Sequence, residues 1–559
     1  MIKDQVLVKQ ILEMINTTIE AAEYLYNSFK SCNYSNFIQV SNDIGDVINT
    51  IHNVILNIKK QENLIINFDL ACENASYSLA RIKNFFKSRS KKTLDKIEFE
   101  LIPILEDMYL QLYFFGSIYP DKTKIYDYYN NEMKQLSYNK YIDKSELRGK
   151  YKYDLSIIVL GYNKLDYTKL CIDNLLKYIP DNINYELILI NHGSTDGTKL
   201  YFEDISPTKQ IDILKNGGSP TVLTRVIEGR YTITVSNDII VTENSIINMI
   251  KCMESDDDIA WVVPSTPNVS NHQAIPAKYN NLDEMHEFSR LNNISNTYRW
   301  EQRARLCNPI DLRKSSIWYS SEGIGLAGYF HTTTEMSFPD DKVSMILRRN
   351  GYKMMLAKDA YCYHFGSVTL KEENNKYKND NGKTGSQAFY EDGRRQFKEI
   401  FGIDPWGIGI CFDPILFNYL KCNNKEHVDI LGINCGIGSN PLKVKESIKE
   451  NVHNLDVKIY NLTDEKCYIE DLKGVSDEVK YINNELEIET AFENKMFNYI
   501  IVESGLDRFL EPLKLLQNLK MRTLDDGVIC IKLYDKLMKE EIKNIYPEAI
   551  EVGAWIVLE

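Results

Sequence analysis

Hydrophobic residues in the first 115 positions recur at intervals of three and four, a spacing typical of amphipathic helices. Short polar connectors, such as residues 33–36, separate four such stretches and favour antiparallel neighbours. We therefore predict a helical bundle over residues 1–118 with a role in packing or assembly. The positions with this spacing are Val8, Ile11, Ile15, Ile19, Ala22, Tyr26, Phe29, Ile44, Val47, Ile51, Val54, Ile58, Leu79, Ile82, Phe86, Leu105, Met108 and Leu112.

The pattern changes after a Tyr-, Lys- and Asp-rich stretch at residues 119–152, which predicts a linker. Short β-branched runs at residues 156–160, 186–190 and 232–235 then alternate with helical spacing. Apolar runs of this length, joined by helices, predict a parallel α/β sheet, and we assign residues 153–400 to one domain. Residues 371–385 are rich in Asn, Lys and Gly and predict a loop, either a plain linker or an active-site lid.

A second alternation of the same kind follows a connector at residues 401–426. Its predicted strands are residues 428–433, 457–460, 499–502 and 528–531, and its predicted domain is residues 427–559. The predicted fold class is therefore multidomain, with an N-terminal α-helical bundle, a central α/β domain and a C-terminal α/β domain.

The composition narrows the function classes. Of the 559 residues, 43% are apolar, and 66 basic against 79 acidic residues give a net charge of −13, which argues against a nucleic-acid partner. No apolar run approaches the ~20 residues of a transmembrane helix, and the first residues lack the pattern of a secretory signal. The 11 cysteines contain no Cys-x-x-Cys pair, which indicates free thiols. We expect a cytoplasmic protein, and its oligomeric state stays open.

Polar strings follow the predicted strands, where parallel sheets bind ligands. They occupy residues 161–163, 191–198 and 236–238, and two more lie at 338–341 and 363–367. In this order the strings resemble those of family 2 glycosyltransferases with the GT-A fold, over roughly residues 155–369. The resemblance implies inverting transfer of a sugar from a nucleotide diphosphate donor. The donor-binding residues that it implies are Leu160, Tyr162, Asn191, His192, Asp196, Arg225, Ser236, Asn237 and Asp238.

A departing diphosphate carries negative charge that a divalent cation can offset. The resemblance implies Mn²⁺ or Mg²⁺ held by Asp238, with His364 completing the coordination. Ser236 stands where the family's motif has its first acid, so Asp238 is the single carboxylate. For His364 the alternative is an ordinary packed side chain.

The resemblance also implies a base that takes the proton from the acceptor hydroxyl. Asp340 and Asp341 match the family's acidic pair ahead of an Arg-rich turn. Counting residues back from Gly351 favours Asp340 as the base. Matching the two acids together to the family's pair favours Asp341, which we prefer. The alternative is that both acids only cap a helix.

Three of the implied donor residues need comment, because two depart from the family pattern and the role of the third is open. Asn191 and His192 stand where the family has Asp-Asp or Asp-Asn, so the carboxylate expected near a uracil ring is missing. An asparagine still offers both a donor and an acceptor to a pyrimidine edge. Arg225 is a candidate for donor phosphate or base, with a surface arginine as the alternative.

Residues 430–438 resemble the first motif of class I methyltransferases that use S-adenosylmethionine. Gly432 replaces that motif's acid, Asn434 replaces a glycine, and residues 462–463 lack the ribose-binding acid, although Asp464 follows. We therefore predict an inactive methyltransferase-like domain for acceptor docking or assembly. Its removal is expected to weaken or abolish modification of a protein acceptor while leaving donor hydrolysis largely intact.

The three-domain arrangement is similar to that of clostridial flagellin-modifying glycosyltransferases. That resemblance implies N-acetylglucosamine transfer from UDP-GlcNAc to a soluble protein acceptor, flagellin Ser or Thr. One alternative is a non-catalytic pseudo-glycosyltransferase that binds or scaffolds. Another is a bifunctional glycosyltransferase–methyltransferase.

Overall fold

A computed structural model describes residues 4–62, 68–119, 121, 123–124, 151–214, 226–307, 309–315, 338–366, 375, 378, 382–419, 426–453, 456–484, 486–492 and 495–559. Arg225, most of the predicted linker at 119–152, most of the loop at 371–385 and residues 420–425 of the connector lie outside this description. The chain divides into two compact units. The first holds Met1–Ile246, Pro309–Pro339 and Cys362–Phe401, and the second holds Ile247–Asn308, Asp340–Tyr361 and Gly402–Glu559. The predicted domain boundaries differ from this division and stay a prediction.

The first unit opens with a helical region, as predicted. Its helices are α1 (Gln5–Lys30), α2 (Phe37–Glu62), α3 (Phe68–Lys87), α4 (Lys92–Lys96) and α5 (Ile102–Tyr113), with π-helical turns at Ile97–Leu101 and Phe114–Ile118. Asp4 begins α1 by accepting hydrogen bonds from the backbone N–H groups of Val6 and Leu7. Most apolar positions that carry the helical spacing are buried, which accounts for the packing of these helices.

The central part of the chain alternates strands and helices, as predicted. Its elements are β1 (Tyr153–Gly161), α6 (Leu165–Tyr178), β2 (Tyr185–His192), α7 (Thr198–Ile205), β3 (Lys209–Ile213), β4 (Gly229–Ser236), β5 (Ile239–Ile240), α8 (Ser245–Glu254), β6 (Ile259–Ser265), α9 (Leu282–Asn292), β7 (Trp300–Gln302), β8 (Ile310–Lys314), α10 (Pro339–Arg349), β9 (Lys353–Tyr361), β10 (Tyr363–His364) and α11 (Ser386–Phe401).

In the first unit the strand order is β3-β2-β1-β4-β8. The first four strands are parallel and β8 is antiparallel to β4. The strands β5 and β10 form a separate antiparallel pair. Buried isoleucines of β1, β2 and β3 form one core on this sheet together with Val226 and Ile227, and Phe99 of the helical region packs against it.

The second unit contains two sheet regions. In one, β9 pairs with β6 in parallel and with β7 antiparallel. The other is a seven-stranded sheet in the order β13-β12-β11-β14-β15-β17-β16, parallel from β13 to β15. Its elements are β11 (His427–Ile433), α12 (Ser439–Asn451), β12 (Asp456–Thr463), α13 (Ile469–Lys473), β13 (Glu478–Tyr481), α14 (Leu486–Thr490), β14 (Phe497–Val502), α15 (Pro512–Met521), β15 (Thr523–Lys532), α16 (Lys536–Ile545), β16 (Ile550–Val552) and β17 (Trp555–Leu558).

The four strands predicted after residue 427 all lie within strands of this sheet, so the second α/β region is confirmed. Across the described residues, no helix combines the length and apolar composition needed to cross a membrane.

Candidate functional site

The predicted donor residues of the first unit lie at the carboxyl ends of neighbouring strands. The register pairs Gly161 of β1 with Asn191 of β2, and Leu160 of β1 with Ser236 of β4. The chain builds the sheet outward in both directions from β1, since β2 and β3 lie on one side of β1 and β4 lies on the other. Such a switch point leaves a crevice beyond the strand ends, where α/β sheets bind ligands.

Asn163 joins the three loops that follow β1, β2 and β4. Its Oδ1 accepts a hydrogen bond from the backbone N–H of Thr195 at 2.8 Å, and its own N–H donates to Oγ of Ser194 at 2.9 Å. Its carbonyl oxygen accepts from Nδ2 of Asn237 at 2.9 Å. Asn163 and Lys164 both have positive φ, 53° and 60°, which asparagine tolerates better than most residues. The sequence-based prediction did not include Asn163 among the site residues.

Asp196 fixes the ends of two helices. Its Oδ2 accepts from the backbone N–H of Leu165 at 2.8 Å, and its Oδ1 accepts from the hydroxyl of Thr198 at 2.7 Å. Burial acts to raise the pKa of Asp196, but these hydrogen bonds lower it below its ordinary value. The predicted donor residue Asp196 therefore holds the loop in shape through both carboxylate oxygens.

Asn191 is buried and its side chain is held on both sides. Its Oδ1 accepts from the N–H of Ser194 at 3.0 Å, and its Nδ2 donates to Oδ1 of Asp212 at 3.2 Å. Asp212 is its register partner on β3. An acid at position 191 would place a second carboxylate against Asp212, whereas the amide of Asn191 donates a hydrogen bond to it.

His192 follows Asn191 at the end of β2. Its Nε2 is buried and has no hydrogen-bond partner among the described residues. Burial lowers the pKa of His192 to about 4, so its ring is neutral at pH 7. A neutral imidazole at this strand end adds no charge to the site.

The two predicted metal ligands lie side by side. β10 pairs with β5 so that His364 lies opposite Ile239, and the N–H of Phe365 donates to the carbonyl oxygen of Asp238 at 3.1 Å. Nε2 of His364 is 3.3 Å from Oδ2 of Asp238. Both side chains are largely buried, at 7% and 13% exposure.

This pair has the chemistry of a partial metal site. A carboxylate oxygen and an imidazole nitrogen are both ligands of Mn²⁺, and carboxylates also bind Mg²⁺. Among the residues that the structure describes, no three His, Cys, Asp or Glu side chains converge on one point. Asp238 and His364 therefore supply two side chains of the types that bind a divalent cation.

The other predicted donor residues of the first unit surround these groups. Tyr162 and Ser236 are half-buried at the ends of β1 and β4, and Leu160 packs against the sheet core. Asn237 is buried and its Nδ2 also donates to Oγ1 of Thr168 at 2.9 Å. Asn237 thus serves the loop structure.

The acid pair begins α10, which lies in the second unit apart from its first residue. Asp341 is buried, and both its oxygens accept from Arg305: Nε to Oδ1 at 2.6 Å and a terminal nitrogen to Oδ2 at 3.1 Å. Burial acts to lower the pKa of Arg305, but Asp341 raises it above its ordinary value. Asp340 is half-buried. The sequence contained no local signal for Arg305, which lies 36 residues before Asp341.

The other end of α10 binds the C-terminal region of the same unit. Arg348 and Arg349 both pair with Asp471 of α13, whose side chain is fully buried, and Arg349 approaches its Oδ2 at 2.7 Å. A second contact lies at β7, where Glu301 binds Lys443 at 2.8 Å. The region at 427–559 is therefore joined to the preceding part of its unit by buried ion pairs.

The glycine-rich loop after β11 is filled by the chain itself. The carbonyl oxygen of Gly409 accepts from the N–H of Ser439 at 3.4 Å, and that of Ile410 accepts from the Ser439 hydroxyl at 3.1 Å. A Cβ atom at Gly436 would lie 1.8 Å from the carbonyl oxygen of Ile408. This close approach occupies the helix N-terminus at which such folds hold cofactors, so the residues present do not fit S-adenosylmethionine.

Two family models match parts of the chain. Residues 6–111 match DUF8042, a domain of unknown function, and residues 156–303 match glycosyl transferase family 2. The second match confirms the predicted family 2 glycosyltransferase domain over those residues. None of the curated protein sequences matches the chain.

Parts of several solved structures match parts of this chain. GalNAc-T7 with UDP, GalNAc and Mn²⁺ is 11% identical, over 38% of this chain and 44% of that chain, with a TM-score of 0.30. The mannosyltransferase PcManGT from Pyrobaculum calidifontis with GDP-Man and Mn²⁺ is 11% identical, over 60% and 82%, with a TM-score of 0.31. S. aureus TarS 1-349 with UDP-GlcNAc is 16% identical, over 45% and 67%, with a TM-score of 0.29.

Proposed function

We propose that the chain is a glycosyltransferase that moves a sugar from a nucleotide diphosphate donor to a hydroxyl group of a protein. The observation that carries this proposal is the set of three loops at the carboxyl ends of β1, β2 and β4, joined through Asn163 and followed by Asp238 beside His364. The family 2 match at residues 156–303 covers all three loops.

In the proposed reaction the acceptor hydroxyl attacks the anomeric carbon of the sugar, and the bond to the diphosphate oxygen breaks with inversion. Asp238 and His364 would hold Mn²⁺ or Mg²⁺, which offsets charge on the departing diphosphate. Asn163, Asp196 and Asn237 keep the surrounding loops in one arrangement, because their polar atoms are satisfied within the protein.

The base that receives the hydroxyl proton is assigned to the acid pair by the sequence resemblance. Both oxygens of Asp341 accept hydrogen bonds from Arg305, so this carboxylate is already engaged in an ion pair within the protein. This contact favours Asp340 as the base and gives Asp341 the role of holding Arg305 and the start of α10. The proposal therefore differs from the preference that the sequence pattern suggested.

The donor and the acceptor rest on the sequence resemblance. It favours UDP-GlcNAc as donor and, in the cytoplasm, flagellin Ser or Thr as acceptor. The C-terminal region is proposed to be methyltransferase-like in fold and to serve acceptor docking or assembly, since its cofactor loop is filled by residues 408–410.

The test is a screen of nucleotide sugars for hydrolysis by the full chain with Mn²⁺ or Mg²⁺. The intact mass of flagellin is then measured after incubation with the enzyme and the best donor. We expect the mass to rise by one or more sugar residues. Donor binding without hydrolysis or transfer would favour the non-catalytic scaffold instead.

Two variants test the base within the same assay. Asp340→Asn is expected to slow transfer by ~10² to 10⁴-fold at saturating donor, with donor affinity unchanged, because an amide cannot accept the proton. Asp341→Asn is expected to slow transfer less. A large rate loss in Asp341→Asn alone would return the assignment to Asp341.

A further inference from the structure

β3 is the edge strand next to β2, and the helical region covers its open side. Backbone groups of β3 and the residue after it bind side chains rather than another strand. Nζ of Lys96 donates to the carbonyl oxygen of Gln210 at 2.9 Å, and the N–H of Asp212 donates to Oε1 of Glu100 at 2.9 Å. The N–H of Leu214 donates to Oδ1 of Asn74 at 3.0 Å. The helices thus satisfy an edge that would otherwise be open.

A cluster of four charges lies at this contact. Arg81 approaches Glu100 at 2.9 Å and Asp212 at 2.6 Å, and Lys96 approaches Glu100 at 2.6 Å. All four side chains are at most 14% exposed, and the two positive charges balance the two negative ones. Burial acts to raise the pKa of Asp212, but Lys96 and Arg81 lower it below its ordinary value, so the carboxylate is ionised at neutral pH.

The ionised Asp212 determines which way the amide of Asn191 points. With Nδ2 of Asn191 donating to Asp212, Oδ1 faces the loop and accepts from the N–H of Ser194. A flipped amide would put its oxygen against a carboxylate and its NH₂ group against a backbone N–H, losing both hydrogen bonds. Ser194 in turn accepts from the N–H of Asn163.

We propose that Arg81, Lys96 and Glu100 of the helical region are positioning residues for the nucleotide-sugar donor, acting through Asp212 and Asn191 on the loop at residues 193–196. This inference rests on the proposed function, because it assigns the loop to donor binding. The helical region would then help to position the donor, in addition to packing against the sheet.

The same strand offers a matched control at its other end. Lys209 begins β3 and binds Glu186 at 2.6 Å and Glu228 at 2.7 Å, with Lys209 and Glu186 both buried. Its Nζ lies 5.3 Å from the ring centre of Phe99, so this cluster also contacts the helical region. Glu186 pairs with Ser156 near the starts of β2 and β1, away from the predicted donor residues.

The experiment compares Arg81→Met with Lys209→Met in the full chain. Both variants remove one buried cation, and both are expected to lower Tm. Only Arg81→Met is expected to weaken binding of UDP-GlcNAc with Mn²⁺ in calorimetry, by about 3- to 30-fold, with Arg81→Lys recovering part of the loss. Equal donor affinity in wild type and Arg81→Met, or an equal loss in Lys209→Met, would overturn the inference.

A second pair of variants covers the case in which Arg81→Met does not fold. Asn191→Asp places a second carboxylate against Asp212 and is expected to weaken donor binding. Adding Asp212→Asn restores a carboxylate–amide pair with the partners exchanged and is expected to recover affinity. Failure of the double variant to bind better than Asn191→Asp would contradict the inference.

The two levels of the proposal fail differently. If the wild-type chain binds none of the nucleotide sugars, the proposed function is wrong and the inference falls with it. If the wild-type chain binds a donor and the Arg81 variants bind it equally well, only the positioning role is wrong.

Discussion

The chain contains two α/β regions whose strand ends differ in what fills them. At β1, β2 and β4, Asn163, Asp196 and Asn237 form hydrogen bonds with residues of neighbouring loops, and Asp238 lies beside His364. At β11, the equivalent space holds the backbone of Gly409 and Ile410. Under the proposed function, the same strand arrangement supports a ligand site in one region and an internal contact in the other, because function depends on the loops rather than on the sheet.

The largest effect should come from an acid at a strand end of the first region. Asp238→Ala is expected to lower transfer by about 10²–10³-fold or more, because neither sequence neighbour, Asn237 or Ile239, is an acid that could replace the lost ligand. Asp464→Ala, which removes the acid after β12 in the other region, is expected to leave the rate unchanged. Rates are measured with saturating donor over a range of Mn²⁺ concentrations. Near wild-type turnover of Asp238→Ala without added metal would contradict the assignment.

A loss of stability should follow when the second region is detached from α10. Asp471→Asn leaves two arginines without their buried carboxylate, which costs about 3–5 kcal/mol for a buried pair. Glu470→Gln breaks an exposed pair with Lys473 and is expected to cost about 1 kcal/mol or less. Denaturant unfolding measures both. A similarly small cost for Asp471→Asn would mean that this ion pair does not hold the region at 427–559 to α10.

A smaller effect depends on pH. Burial raises the pKa of Glu503 to about 7, although Asn440 and Lys532 act to lower it. Since the unfolded carboxyl ionises near pH 4.5, wild-type stability is lost between about pH 4.5 and 7. Glu503→Gln removes this loss, so its stability relative to wild type should rise by about 2–3 kcal/mol over that window.

Glu551 provides a control, because its pKa is shifted in the opposite direction to that of Glu503. Lys543 and Lys539 lower the pKa of Glu551 to about 2, so its folded state titrates below the window. Glu551→Gln should therefore show the same stability relative to wild type at pH 5.5 and pH 7.5. A parallel rise in both variants would mean that the effect does not come from Glu503.

The smallest expected effect is none at all. Because residues 408–410 fill the loop after β11, titration of the full chain with S-adenosylmethionine should produce no heat of binding. UDP-GlcNAc with Mn²⁺, added to the same sample, is the positive control. Measurable affinity for S-adenosylmethionine would favour the bifunctional enzyme and remove the difference between the two regions.

Much of the fold could be predicted because the spacing of apolar residues in the sequence indicates which side of each helix or strand is buried. The runs at 156–160 and 428–433 are strands, and the spacing of Ile11, Ile15 and Ile19 belongs to a helix. Contacts between distant residues could not be predicted, because no local pattern links Arg305 to Asp341 or Arg81 to Asp212.

The candidate site shows the same limit. The polar sequences after β1, β2 and β4 could be identified as candidate site residues because each directly follows its strand in the sequence. The change from acid to Asn191 looked like a weakness of the donor site until the structure placed Asp212 opposite it. The close contact at the loop after β11 had one signal in the sequence, since Gly409 and Gly436 permit close backbone approach. The sequence did not show that these two glycines lie together.

The cover on β3 also has a consequence for synthesis and solubility. Exposed strand edges pair with strands of other chains and start aggregates. A ribosome makes the residues that supply Arg81, Lys96 and Glu100 on the order of ten seconds before β3. The helices can therefore fold first and receive β3 as it emerges, so the nascent chain need never present that edge to its neighbours on the same messenger RNA.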